Sequence, residues 1–475
     1  MLSQLRFKKF KSFADTTMPV EPITILIGAN ASGKSNAIDG LQILSGLATN
    51  RELIDILDGI RGQETGIRGG SRGAPRYDSA SFELGCSLDC GDYSLDYEIK
   101  IGVKPRVWLL SESLYKKIPG SKQKKLVYRT SSPDEKSGDI QVIYHTNRQG
   151  RNPQVPFLRN YSILSQIPGR FPVDSIEAPE VRKIFDTVTS ILRGILILNP
   201  VPHFMRDYVH RSRTKIVPTA ENLSAVIAEL IKNQDTKQLI LKYLQDFPEQ
   251  HIVDIQVLDT PTGDVMLSFI EQFGNNLRPI DARGMSDGTL RYLSILAALV
   301  GERPGTTVVV EEVDNGLHPS RAYKLIGALR DLGKKREIDV MVTTHNPAVL
   351  NALEAEDIPG VVVCYRDANE GDSRFISWMD LPNYPELMAK GRIGDIVTQG
   401  LVNLQSGVFV KRKVYHCDHE KVYHLAEISA LHKYILFCLL VLGGISSRPT
   451  GSLQYPPKRR RCRGHRRRTT KNIKY

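Results

Sequence analysis

GANASGKS, residues 28–35, stands between the apolar run ITILI (23–27) and a segment, 34–47, that reads as a helix. The octapeptide fits G-x-x-x-x-G-K-[ST], and a strand before it with a helix after it is the setting that gives this pattern its meaning as a phosphate loop. Gly28 and Gly33 let backbone N–H groups turn inward around phosphate oxygens, with Ala29, Asn30, Ala31 and Ser32 completing the loop. The helix start adds its dipole, Lys34 reaches the β- and γ-phosphates, and the Ser35 hydroxyl takes a Mg²⁺ position. A flexible Gly/Ser turn would leave Lys34 unexplained, so the motif predicts nucleotide binding.

Three later stretches extend this reading. TTVVVEEVDNGLHPSR (306–321) carries a buried strand that ends at Glu311 and Glu312, the edge at which open parallel sheets bind ligands. One carboxylate can hold the Mg²⁺ shell while the next polarises a water for attack on the γ-phosphate; a solvated acidic pair is the bland alternative. MVTTHNP (341–347) is a second apolar strand, ending at His345, whose place after the other motifs favours a contact to the γ-phosphate over a structural role. In ARGMSDGTLRYLSILAAL (282–299), Ser286, Asp287 and Gly288 precede an apolar helix. They form either a plain N-cap or a helix start offered to the phosphate of a nucleotide held by a second subunit, and the order of the motifs favours the second.

Around these motifs the chain alternates. Leu5-Arg6-Phe7 and residues 23–27 read as strands, 66–76 (GIRGGSRGAPR) as a cationic loop, and 79–144 as antiparallel hairpins. Between 181 and 198, Ile184, Val188, Ile191 and Ile195 lie at helical spacing; 222–232 and 237–247 are also predicted helical, and 252–269 returns to strand, turn, strand. In the last third, helices at 288–300 and 319–333 alternate with strands at 306–310 and 340–344, the pattern of a parallel sheet with crossover helices.

At 475 residues the chain has room for two or three structural units, and with 41% hydrophobic and 24% charged residues it is an ordinary globular sequence. Its net charge of +12 is misleading: residues 411–475 hold sixteen Lys or Arg against three acidic residues, so the remainder is close to neutral. Overall basicity is therefore no argument for nucleic-acid binding by the body. Six cysteines, three of them in this tail, give no disulfide framework and suit a reducing cytoplasm. The longest apolar run, 434–442, falls short of the roughly 18–20 residues that span a bilayer, so no membrane partner is expected. His416-Cys417-Asp418-His419 matches no standard metal spacing, KRRRCRGHRRR would suit phosphates, and a non-native extension accounts for the tail equally well.

Taken together, the four motifs, with the N-terminal LRFKKFKSF and the Asn30 and Asn36 that frame the phosphate loop, resemble the ABC-type ATPase head of the SMC-like group, specifically its compact RecF-like and OLD-like members. The resemblance implies an α/β P-loop NTPase with a mixed sheet and flanking helices. Its head would be built from residues 1–50 and 271–407, interrupted by an α/β insertion (51–270) and followed by a basic tail (408–475). ATP and Mg²⁺ are the implied cofactors: residues 28–36 bind phosphate, Ser35 and Glu311 the metal. Glu312 would be the catalytic base, 315–318 the D-loop, His345 the switch histidine, and Ser286, Asp287 and Gly288 the signature completing a partner's site. Lys11 would lie near the ribose or α-phosphate, or be surface charge. The implied assembly is an ATP-dependent homodimer, or a higher oligomer of such dimers, in a cytoplasmic ATPase serving DNA repair and maintenance or antiphage defence, with DNA and a separately encoded effector as candidate partners. The ATP-binding subunit of a transporter and a nucleotide-gated scaffold with little turnover are the alternatives. The sequence departs from the group in having Glu311 where Asp is commoner and in offering only Gln63 for the Q-loop. It also has no zinc-hook C-x-x-C and no acidic cluster for a Toprim nuclease.

Overall fold

The computed structural model describes residues 1–402 except 61–63, 78, 122, 135, 146–151, 171–177 and 246–250. Gln63 and the 408–475 tail with its histidines lie outside the described residues. A six-stranded sheet forms the centre, in the order Ile195–Leu198, Thr307–Val310, Asp339–Thr344, Ile23–Ile27, Val361–Arg366, Ser373–Ser377. All neighbours pair parallel except the last two.

Its strands are apolar at successive positions because both faces are covered. Ile25, Ile27, Val308, Val310, Val340 and Val342 face a core shared with the helices Asp287–Gly301 and Ala322–Arg336. Leu26, Val309, Met341 and Val362 face the other way, onto the helix Lys34–Leu47 and an eight-stranded antiparallel sheet. That sheet begins with Leu2–Phe10 and Phe13–Pro19 and continues through the hairpins between 81 and 158. Phe7, Phe10 and Phe13 are fully buried on it, and Phe13 packs against Phe375 with ring centroids 5.0 Å apart. Each such side chain contributes about 1.5–3 kcal/mol by leaving water. This aromatic contact, with the Ser373 N–H donating to the Ser12 carbonyl at 2.9 Å, ties the antiparallel sheet to the edge of the parallel one.

Strand pairing runs across the two places where the sequence suggested boundaries. Leu2–Phe10 pairs with Ser81–Asp89, and Asp264–Phe273 pairs with Asn276–Asp281. Local differences from expectation have simple causes. The helix over 181–198 stops at Arg193; Gly194 breaks it, and Ile195–Leu198 becomes the edge strand because Thr307–Val310 offers it a parallel partner. Within the 66–76 loop, Gly70–Gly73 make a single helical turn. Residues 319–321 form a 3₁₀ turn ahead of the helix Ala322–Arg336.

Candidate nucleotide site

The phosphate loop leaves the carboxyl end of Ile23–Ile27 and opens the helix Lys34–Leu47. A glycine is required at 28 because a Cβ there would come within 2.2 Å of the Cys364 carbonyl. Gly33 has φ 121°, and a Cβ on it would meet the Ser373 hydroxyl at 2.7 Å. Ala31 takes φ 62°, a strained turn for a residue with a side chain. The loop is braced from outside: Arg366 Nε donates to the Ala31 carbonyl at 3.1 Å, Cys364 Sγ to that of Ser32, and Asn36 Nδ2 to Ser12 Oγ at 2.8 Å. Asn36 thus supports the loop through Ser12, and Asn30 is exposed at its tip.

Inside the loop, Lys34 Nζ donates to the carbonyls of Gly28 at 2.7 Å and Ala29 at 3.0 Å. Burial lowers the pKa of this ammonium, and the nearby Cys364, Glu312 and Glu311 only partly offset that. The Ser32 hydroxyl is buried without a hydrogen-bond partner. A half-buried, under-compensated cation beside an unpaired buried hydroxyl is a cradle that suits an anion with several acceptor oxygens.

Glu311 and Glu312 follow Thr307–Val310, as the sequence places them, but their surroundings differ. Ser35 Oγ donates to Glu311 Oε1 at 2.5 Å, bringing together the two expected metal-holding side chains across 276 residues of sequence. Both are hard oxygen donors, the kind Mg²⁺ takes alongside phosphate oxygens. Glu312 has φ 50°, its N–H donates to Thr343 Oγ1, and its Oε2 accepts from Asn315 Nδ2 at 2.5 Å. The base candidate is therefore exposed but held by the loop that comes after it. Asp314 accepts from Thr344 Oγ1 at 2.6 Å, linking this loop to the strand that ends before the exposed His345.

Ser286 N-caps Asp287–Gly301, accepting from the Thr289 N–H at 3.1 Å. Arg206 donates to Asp287 Oδ1 at 2.7 Å and to the Met285 carbonyl. A Cβ at Gly288 would lie 2.4 Å from the Gly316 carbonyl, so the helix start rests directly on the 315–318 loop. These contacts of 286–288 go to that loop and to Arg206, whereas the phosphate loop is gathered with Glu311.

Arg68 and Asp39 carried no readable sequence signal, and Lys11, expected near the ribose or α-phosphate or as surface charge, is instead a largely buried side chain paired with them. Lys11 donates to the buried Asp39 at 2.5 Å and to the Arg68 carbonyl at 2.6 Å. Arg68 in turn reaches Asp39 Oδ1 at 3.1 Å, Glu311 Oε1 at 2.9 Å and the Ser35 carbonyl at 2.7 Å. Burial lowers the Lys11 pKa against the pull of Asp39. Burial also opposes the charge on Arg68, but its hydrogen bond to Glu311 and the charge of Asp39 outweigh it and raise its pKa. Asp39 lies one helical turn beyond the loop, yet nothing in the spacing of an isolated helix says that Lys11 and Arg68 converge on it.

A phosphate loop at the end of a parallel strand, a carboxylate pair two strands away in the same sheet and a capped helix resting on the loop after that pair form the arrangement of an ABC-type P-loop ATPase. The chain belongs to the family described as "AAA domain, putative AbiEii toxin, Type IV TA system", whose model matches residues 23–351, and is an ATP-binding member of that ATPase family. No curated protein matches the chain. Among solved structures, it is similar to an Smc head bound to the C-terminal winged-helix domain of ScpA (14% identity over 79% of this chain and 96% of that one, TM-score 0.43). It is also similar to the SMC head domain from Thermotoga maritima (15%, 79% and 98%, 0.38) and to an Smc head domain with an extended coiled coil, bound to the C-terminal domain of ScpA, from Pyrococcus furiosus (13%, 82% and 98%, 0.37). Likenesses this distant assign no activity and no partner.

Proposed function

We propose that the protein is a Mg²⁺-dependent ATPase whose two copies close head to head on ATP, each nucleotide lying between one copy's phosphate loop and the other's Ser286–Asp287–Gly288 helix start. The observation that carries this reading is the Ser35–Glu311 hydrogen bond: it joins the hydroxyl after the phosphate-loop lysine to the carboxylate that ends a strand two places away in the parallel sheet. Mg²⁺ held there supplies charge neutralisation of the phosphates. Lys34 and the loop N–H groups bind and orient the triphosphate, with Ser32 a further donor. Glu312, steadied by Asn315, accepts a proton from the attacking water, and His345 lies at the end of the adjacent strand to contact the γ-phosphate. Hydrolysis then rests on positioning and charge stabilisation, with no covalent intermediate. The exposure of Ser286 and Asp287 leaves them available to a second copy.

Opening and closing of such a dimer would serve as the output, in DNA-linked maintenance or phage defence in the cytoplasm, with an effector encoded separately. Among the described residues no helix is long and apolar enough to cross a membrane. Glu312→Gln tests the core of the proposal. It should still bind ATP, double its mass in solution when ATP and Mg²⁺ are added, and hydrolyse at least about a hundredfold more slowly. Turnover equal to the parent's would remove Glu312 as the base. A parent with the ATP-dependent mass change and negligible hydrolysis would favour the nucleotide-gated scaffold.

A further inference from the structure

The Arg68 guanidinium lies against the two side chains that would hold the metal. Its Nη1 donates to Glu311 Oε1, the same oxygen that accepts from the Ser35 hydroxyl, and its Nη2 donates to the Ser35 carbonyl. We propose that Arg68 is the resident counter-ion of this metal position in the nucleotide-free protein, and that Mg²⁺–nucleotide loads by displacing it. This inference rests on the nucleotide-site reading above and goes beyond it by naming a residue that sets the metal requirement.

Charge balance supports the exchange. Glu311 is largely buried, with its side chain 16% exposed, and a carboxylate so placed needs a cation. Arg68 supplies one now. Two cations on one carboxylate oxygen repel, so a metal entering between Ser35 and Glu311 favours the departure of the guanidinium. Leaving costs Arg68 little, since its side chain is half exposed and opens to water. Nor does its departure strand Asp39, only 3% exposed, because Lys11 remains paired to that carboxylate at 2.5 Å. Glu311 loses its cation and the Ser35 carbonyl one donor, and the incoming metal replaces the cation.

Displacement would also loosen a defined segment. Residues 67–76 are fastened to the rest of the protein by the Arg68 side chain and carbonyl, by Ser71 to the Asp58 carboxylate, by Arg76 to the Ser12 carbonyl, and by backbone bonds: Ile67 N–H to the Leu57 carbonyl, Arg76 N–H to that of Lys9, and Lys11 N–H to that of Ala74. The last two join it to the hairpin turn between Leu2–Phe10 and Phe13–Pro19. Metal arrival would thus be felt at the edge of the antiparallel sheet.

The test titrates Mg²⁺ into the full chain with a fluorescent ATP analogue and reads binding, not turnover. Arg68→Gln should lower the Mg²⁺ concentration for half-maximal binding about three- to tenfold, the size of a charged hydrogen bond discounted for exposure. Affinity in EDTA should stay within about twofold, and Arg68→Lys should fall between the two proteins. An unchanged or higher Mg²⁺ midpoint in Arg68→Gln overturns the proposal, as does an equal loss of affinity with and without metal, which would mark a merely structural role. On the wild type, amide exchange across 66–76 should rise with nucleotide plus Mg²⁺ and not with nucleotide in EDTA; an absent rise also overturns it. A wild type that binds no nucleotide at any Mg²⁺ concentration defeats the underlying site reading as well, whereas a binding wild type with an unshifted variant defeats this inference alone.

Discussion

Asp339 opens a central strand of the parallel sheet with its carboxylate buried and poorly hydrogen-bonded. Burial pushes its pKa from 3.8 up to about 6, with the amino terminus and the Leu2 amide pulling only weakly the other way. Between about pH 4 and 6 the folded chain therefore keeps a proton that the unfolded chain has lost. The associated stability is full below the unfolded value and disappears as pH rises through about 6, a total of roughly 2–3 kcal/mol for a shift of about two units. Asp339→Asn should flatten this slope. In urea unfolding at pH 8 it should exceed the parent by about 1–2 kcal/mol, less than the full amount because the amide also lacks partners; equal stability at pH 5 and pH 8 in the parent would show that the carboxylate is not so perturbed. The same scale explains why the phosphate loop was legible and Arg68 was not. Gly28, Gly33, Lys34 and Ser35 act at fixed spacing within one turn of chain. Arg68 acts through a carboxylate 243 residues away, which no local pattern encodes.

At the scale of elements, the helix Asp287–Gly301 and the 315–318 loop form one contact, with Gly288 closed against the Gly316 carbonyl and Gly316 itself at φ 72°. Gly288→Ala should push the two apart. The expectation is nucleotide binding within a factor of about three of the parent, since the phosphate loop is untouched, and hydrolysis slower by about tenfold or more because Asn315 steadies Glu312 from that loop. Parallel measurement of binding and turnover checks this; unaltered turnover would mean that the helix start does not set the loop's position. The strands of the parallel sheet were readable because burial on both faces makes them continuously apolar. Ile195–Leu198 was not, because Ile195 continues the helical spacing of Ile184, Val188 and Ile191, and only a strand partner alongside decides otherwise.

Across the whole molecule, the site is assembled from both ends of the described chain: residues 28–36 near the start, 311–315 in the middle of the last third, and Cys364, Arg366 and Ser373 behind the loop. Occupancy should therefore stabilise the body as a unit. At a hundredfold excess over its Kd, Mg²⁺–ATP should add about 2.7 kcal/mol and raise the unfolding midpoint, with EDTA reversing the metal-dependent part. An unmoved midpoint under saturating ligand would argue against nucleotide binding at this site.

By itself the sequence determined the chemistry with a fixed local spacing: the phosphate loop, the paired carboxylates, the capped helix and the alternation of buried strands with helices. Those features depend on residues that are neighbours along the chain, where backbone geometry converts spacing directly into position. Tertiary structure alone decided that Leu2–Phe10 and Ser81–Asp89 share a sheet, that Ile195–Leu198 is a strand, and that Lys11, Asp39, Arg68, Ser35 and Glu311 form one charged cluster. Each of these depends on which distant segments exclude water together, and a buried charge accepts whatever counter-ion the packing brings to it, however far away that partner stands in the chain.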